Sequence, residues 1–211
     1  MKSAAYEQVA RLGRACAHPH RLELLELIAQ AEQPVDTLAR ISGMPLTTAS
    51  SHLQVLKNAG LVRTRRQGTT IFYRLAGDEV AGLVVALTSV ASKAIPELRL
   101  LDEAGRGRGA APRVHSVNKD EEACVLDVRP DREFQAGHYP GAVSIPLDQL
   151  PSRLSELPLD RRVVVYCRGE FCDLAMDAAR LLRDRGIDAY AMAEGVLEWR
   201  ASGAVVLDAT A

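Results

Sequence analysis

No basic stretch followed by an apolar segment opens this sequence, and no uninterrupted apolar run approaches the roughly 18 residues of a membrane-spanning helix. The expectation is a cytoplasmic protein with no membrane partner. Cysteine is also scarce. Cys16, Cys124, Cys167 and Cys172 are too few and too unevenly spread for a disulfide scaffold, so in a reducing compartment they are structural or reactive thiols. An excess of one charge is missing too: the net charge of −1 argues neither for nor against nucleic acid. No internal repeat is present. What remains is an ordinary composition, 47% hydrophobic and 25% charged over 211 residues, enough for two small domains.

The halves differ mildly in charge. Residues 1–102 carry 12 Lys and Arg against 9 Asp and Glu, whereas residues 103–211 carry 14 against 18. Between two patterned regions lies Glu103-Ala104-Gly105-Arg106-Gly107-Arg108-Gly109-Ala110-Ala111-Pro112, rich in glycine and without apolar periodicity. This places domains at 1–102 and 114–211, joined by a linker at 103–113.

In the first half, Pro19 follows His18 as a helix start, and Leu22, Leu25 and Ile28 mark one face. Helices are predicted over about 35–41 and 46–58, separated by Ser42-Gly43-Met44 and stopped by Gly60. Residues 61–66 and 69–74 alternate like two strands of a basic hairpin. Beyond them Val80, Leu83, Val84, Leu87, Val90, Ala91 and Ile95 form an apolar face longer than one small domain needs, which predicts a homodimer.

Helix, tight turn, helix and basic hairpin within about 45 residues form a compact DNA-reading module. Thr47, Thr48, Ser50, Ser51, His52, Gln54 and Lys57 on the second helix suit base edges and phosphates. Arg63, Arg65, Arg66 and Arg74 on the hairpin supply cations for the backbone. The blander reading, a solvated helix face and an ordinary hairpin, explains each part alone but not their order.

Ala15-Cys16-Ala17-His18-Pro19-His20-Arg21-Leu22 and Thr48-Ala49-Ser50-Ser51-His52-Leu53-Gln54-Val55-Leu56-Lys57-Asn58-Ala59-Gly60-Leu61-Val62 resemble the ArsR/SmtB family of winged-helix repressors over residues 5–100. The resemblance implies a homodimer on a pseudo-palindromic double-stranded operator, released by an inducer. Its usual metal ligands are absent: Pro34-Val35-Asp36 stands where arsenic sensors have a Cys-x-Cys pair, and the last helix lacks the Asp/His set of zinc sensors. Cys16 is a candidate sensor thiol, though an isolated cysteine among alanines more often packs as a small hydrophobe. His18 and His20 make two ligands without a third, so no metal site is expected, and His52 faces DNA.

The second half alternates strands and helices: Cys124-Val125-Leu126-Asp127-Val128, then Val143-Ser144-Ile145-Pro146, the run 163–166, a helix over 174–184 and a strand over 188–192. A mostly parallel, doubly covered sheet follows, with its reactive loop at a strand's C-terminal end. Val163-Val164-Val165-Tyr166-Cys167 leads through a short loop into a helix, which places amides and the helix dipole against the Cys167 sulfur and predicts a lowered pKa.

Leu126-Asp127-Val128-Arg129, Gly137-His138-Tyr139-Pro140-Gly141-Ala142, Tyr166-Cys167-Arg168-Gly169 and Glu194-Gly195-Val196-Leu197-Glu198-Trp199 resemble, in order, the motifs of the rhodanese family over about residues 114–207. The resemblance implies that Cys167 takes a sulfane sulfur as a persulfide from thiosulfate or polysulfide. The amides of Arg168, Gly169, Glu170, Phe171 and Cys172 would form its anion-binding loop, while Asp127 and Arg129 brace the neighbouring loop. Cys172 is a possible resolving thiol, or mere packing. Asp173 disfavours phosphatase or arsenate chemistry, because a carboxylate there repels the oxyanion.

The fold class expected is a mainly α winged helix-turn-helix (α+β) followed by an α/β rhodanese-like domain. The leading expectation is a repressor responsive to reactive sulfur or redox state, with no cofactor. The alternatives are a sulfurtransferase with an accessory winged helix, and a metal- or arsenic-responsive repressor.

Overall fold

The computed structural model describes residues 2–98, 111–116, 122–158 and 160–203. The chain divides into two compact units, Met1–Val84 and Val85–Ala211. Residues 103–110 of the predicted linker lie outside the described residues.

The first unit runs α1 (Lys2–Cys16), α2 (Pro19–Gln30), β1 (Gln33–Pro34), α3 (Val35–Ile41), α4 (Leu46–Asn58), β2 (Val62–Gln67) and β3 (Thr70–Leu75); α5 (Asp78–Ala94) spans the division. Pro19 takes a first-turn position of α2, where a missing N–H costs nothing. His18 caps the helix, with the His20 amide donating to His18 Nδ1 at 3.2 Å. The predicted stripe on α2 is too narrow. Leu24, Leu25, Leu27 and Ile28 are all buried while Leu22 is only half-buried, because α2 packs against α1, α3, α4 and β3 and is covered on more than one face.

The turn into α4 is closed by Ser42 Oγ donating to the Leu38 carbonyl at 2.7 Å, and Gly43 turns the chain with φ 67°. Ala49, Leu53 and Leu56 anchor α4 in the core, fully buried. Its polar residues therefore face outward. The predicted hairpin is present one residue later in sequence, turning at Gly68, and antiparallel pairing extends it to a three-stranded sheet β1-β3-β2. The two-residue β1 is too short to leave a period-2 signal.

The second unit contains β4 (Arg113–Val114), β5 (Cys124–Asp127), α6 (Asp131–Ala136), β6 (Val143–Ser144), β7 (Val163–Tyr166), α7 (Leu174–Arg183), β8 (Ala189–Met192) and α8 (Val196–Ser202). Its sheet has the order β4-β8-β7-β5-β6 with every pairing parallel. Arg113, predicted to lie in the linker, instead pairs with Ala191 at the sheet edge. Strand alternation sends Val163, Val165 and Cys167 into one core with Ala175, Ala178 and Leu182 of α7, and Val164 and Tyr166 into another with Val196 and Trp199 of α8. Parallel strands bring the C-terminal ends of β5, β7 and β8 to one side, so Asp127, Cys167 and Gly195 border the same region. No helix among the described residues is long and apolar enough to cross a membrane.

Candidate functional site

The thiol loop leaves β7 at Cys167 and enters α7 at Leu174. Cys167 is 2% exposed, and Cys172 is half-buried. The Cys167 thiol donates to the Cys172 carbonyl oxygen at 3.2 Å, and the two side chains are also within hydrogen-bonding reach of each other. Amides of Ala175 and Gly169 point at the Cys167 sulfur, and those of Arg168 and Leu174 at the Cys172 sulfur.

The lowered pKa predicted for Cys167 is not found. Burial, and then the hydrogen bond with Cys172, push the Cys167 thiol well above the ordinary range. Its partner moves the other way: the adjoining Cys167 side chain, opposed by burial and helped by the Arg168 and Leu174 amides and the Arg168 charge, lowers Cys172 to about 7.

The anion cradle expected over residues 168–172 is narrower than predicted. The Glu170 amide donates to Glu198 Oε1 at 3.3 Å, and the Cys172 amide donates to the Gly169 carbonyl at 3.1 Å. The Arg168 guanidinium is engaged by buried Glu133 at 2.7 and 2.9 Å. Phe171 is 53% exposed. The loop is clamped from outside as well: Arg113 Nη2 donates to the Glu170 carbonyl at 3.2 Å, and Glu198 Oε2 accepts from the Gly195 amide at 2.8 Å. A Cβ on Gly195 would lie 2.5 Å from the Cys167 carbonyl oxygen, so only glycine allows this approach.

Asp127 and Arg129, each fully buried, pair at 2.7 Å. Tyr166 donates its hydroxyl to Asp127, and Arg129 Nη2 reaches the Gly137 carbonyl at 2.8 Å. Burial and the Asp127 charge raise the Tyr166 pKa, which keeps the phenol a donor. This network ties β5, β7 and the loop at Gly137 together.

In the first unit, Thr47, Ser50, Ser51, Gln54, Lys57, Arg63, Arg65, Arg66 and Arg74 are exposed, and Thr48 and His52 are half-buried. Arg65 is anchored: its guanidinium donates twice to Glu32 Oε2, at 2.9 and 2.6 Å, and lies 5.0 Å from the Phe72 ring. Its charge is therefore neutralised locally. Arg66 Nε donates to the Gly68 carbonyl at 2.9 Å, tightening the hairpin tip.

The sequence matches the family model for a rhodanese-like domain at residues 113–202 and that for a helix-turn-helix domain at residues 17–65. It is 44% identical over 206 residues to the HTH-type transcriptional regulator Rv0324 of Mycobacterium tuberculosis, covering 96% of this chain and 91% of that protein. The chain belongs to the ArsR/SmtB-type helix-turn-helix regulators that carry a C-terminal rhodanese-like domain. A shorter regulator, KmtR of the same organism, is 38% identical over 112 residues, covering 53% of this chain and 85% of its own. The solution structure of the homodimeric winged helix-turn-helix DNA-binding domain Mb0332 from Mycobacterium bovis is 48% identical, covering 44% of this chain and 87% of that one, with a TM-score of 0.42.

Folding gives this regulator a histidine cluster: the ring centroid of His52 lies 4.3 Å from that of His18 and 5.8 Å from that of His20. Among the described residues, no group of three His, Cys, Asp or Glu side chains is arranged to hold a metal ion. Burial, followed by His18, Arg21 and His20, lowers the His52 pKa. Cys16 is 5% exposed and burial raises its pKa, the character of a packed rather than a reactive thiol. Gly195, Glu198, Glu133 and Arg113 received no role in the sequence. The Gly195-x-x-Glu198 spacing at a helix start carried a signal, a capping pattern, for the first two.

Proposed function

We propose that this regulator is a homodimeric, operator-binding repressor whose DNA affinity responds to reactive sulfur or redox state through the Cys167–Cys172 loop. The observation that carries the sulfur response is the thiol pair itself: two sulfurs within hydrogen-bonding reach, each met by main-chain amides, with Cys172 depressed to about 7.

DNA binding is supported by α4, whose Ala49, Leu53 and Leu56 are in the core while Thr47, Ser50, Ser51, Gln54 and Lys57 stay exposed for a major groove. Arg63, Arg66 and Arg74 supply phosphate contacts from the wing, and Arg65 positions it. A homodimer is supported by apolar side chains left exposed on two helices: Tyr6 and Val9 of α1, and Leu83, Leu87 and Val90 of α5.

The test is operator binding at fixed salt, using a duplex selected from a random library by the reduced protein. Binding is measured before and after polysulfide, for wild type and Cys167→Ser. Release of the wild type with retention of the variant supports sulfur gating. Equal retention of both removes it.

A second reading, a rhodanese-type sulfurtransferase, is favoured by the match of residues 113–202 to the rhodanese-like domain. Steady-state transfer of sulfur to cyanide, without sequence-selective DNA retention, selects that reading.

A further inference from the structure

Large apolar side chains left exposed on the first unit fall on two surfaces. Tyr6 and Val9 of α1 and Leu83 of α5 belong to the face assigned to the homodimer, whereas Leu46 and Val55 of α4 and Ile71 of the hairpin do not. Leu46 is the one in a telling place. It is the first residue of α4, is 53% exposed, and so stands on the turn of a groove-entering helix that meets base edges.

The core is closed without it. Met44, two residues earlier, carries the turn's apolar side chain inward, and Ala49, Leu53 and Leu56 hold α4 in place. Pro45 occupies the N-cap position, so Leu46 takes no part in capping, and its side chain has no donor or acceptor for a phosphate or a base edge.

Its neighbours leave it the longest reach. Thr47, Thr48 and Ser50 are short, and Gln54, the long side chain in the same i, i+4 row, is turned along the helix: its Nε2 donates to Asn58 Oδ1 at 2.7 Å. His52 packs against His18 instead. A leucine carried into a major groove strips water from polar base edges without replacing those hydrogen bonds, unless it meets an apolar group. The groove offers one such group, the C5-methyl of thymine.

We infer that Leu46 is a specificity-determining residue that packs on the C5-methyl of a thymine in each operator half-site. This rests on α4 being the groove-entering helix of an operator-binding homodimer, and it adds a base that the operator must contain. Cytosine lacks the methyl and the purines present only polar edges, so any other base at that step leaves Leu46 uncompensated. Burying one methyl-sized apolar group strengthens binding about fourfold.

The test uses the reduced full-length protein and the duplex it selects from a random library. Each thymine in turn is replaced by deoxyuridine, which removes the C5-methyl and nothing else, and Kd is measured at fixed salt. With wild type, one thymine in each half-site loses about fourfold on replacement, and Leu46→Ala binds the parent duplex at least about fourfold more weakly with an unchanged salt slope. On Leu46→Ala the same replacement changes Kd by less than about twofold, because the contact is already gone. Alanine suits an exposed helical position, so the variant folds, and an unchanged circular dichroism melt checks this. Val55→Ala is the control: Val55 is 39% exposed but lies about 13 Å further along α4, so its truncation leaves the uridine penalty at that thymine intact.

A selected half-site without thymine, uridine tolerated at every position, a penalty undiminished in Leu46→Ala, or one lost in Val55→Ala instead overturns the inference while operator binding stands. A protein that enriches no duplex refutes operator binding and the inference with it.

Discussion

Replacing Gly195 by alanine probes how closely the thiol loop is held. The backbone there, φ −132° and ψ −164°, is open to any residue, so the substitution introduces no torsional strain. Space is the obstacle. The new Cβ would stand 2.5 Å from the Cys167 oxygen and 2.6 Å from the Arg168 carbonyl carbon and the Gly169 nitrogen, where ordinary contact begins at 3.4 Å. All three are backbone atoms of the loop, which cannot swing aside as a flexible side chain would. The loop must retreat by several tenths of an ångström against its tethers to Glu198 and Arg113. Overpacking of this kind costs about 1–3 kcal/mol. For a domain of this size each kcal/mol lowers Tm by about 4–8 °C, so a fall of at least about 4 °C is expected in the transition of the rhodanese-like domain. Differential scanning calorimetry measures it, with Gly13→Ala in α1 as the control, since a Cβ there meets nothing within 4 Å. The displaced loop also carries the amides that face Cys172, so iodoacetamide alkylation at pH 7 slows. An unchanged Tm together with an unchanged alkylation rate would show that the close approach of Gly195 does not hold the loop.

The histidine cluster predicts a pH dependence of stability. Burial and then His18, Arg21 and His20 lower the His52 pKa, although Glu23 lies 3.5 Å from His20. Below about pH 6.5 the unfolded imidazole takes a proton that folded His52 resists, so the unfolded state binds more protons and stability falls as pH drops. Urea midpoints at pH 7.5 and 5.5 register the loss, and His52→Gln flattens it; an equal loss in that variant assigns the effect elsewhere. On the wing, Arg63→Ala reduces the slope of log K against log salt by about 0.9, whereas Arg65→Ala, whose charge is already paired with Glu32, changes it by less than half as much. Equal effects from the two variants would mean that the Glu32 pair opens on DNA.

Much of the architecture was legible because its signals are local. Pro19 after His18, Gly43 in the turn and the apolar positions of α4 each act within a few residues, and the helices at 35–41 and 46–58 lie where those signals put them. The run 163–166 was legible as a buried strand, and its period of two carries Cys167 into the α7 layer. Contacts distant in sequence left no such trace. Arg65 finds Glu32 across 33 residues, Arg168 finds Glu133 across 35, and the Glu170 amide finds Glu198 across 28.

Sequence alone therefore determined the two-domain order, the helix-turn-helix with its wing, the parallel sheet and the presence of two cysteines in one short loop. Spacing, periodicity and turn residues suffice for these because they operate along the chain. Only tertiary structure decided how deeply each cysteine is buried, which loop amides face sulfur, and that His52 joins His18 and His20. Burial and hydrogen-bond geometry control ionisation, and both arise only when segments far apart in sequence are packed together.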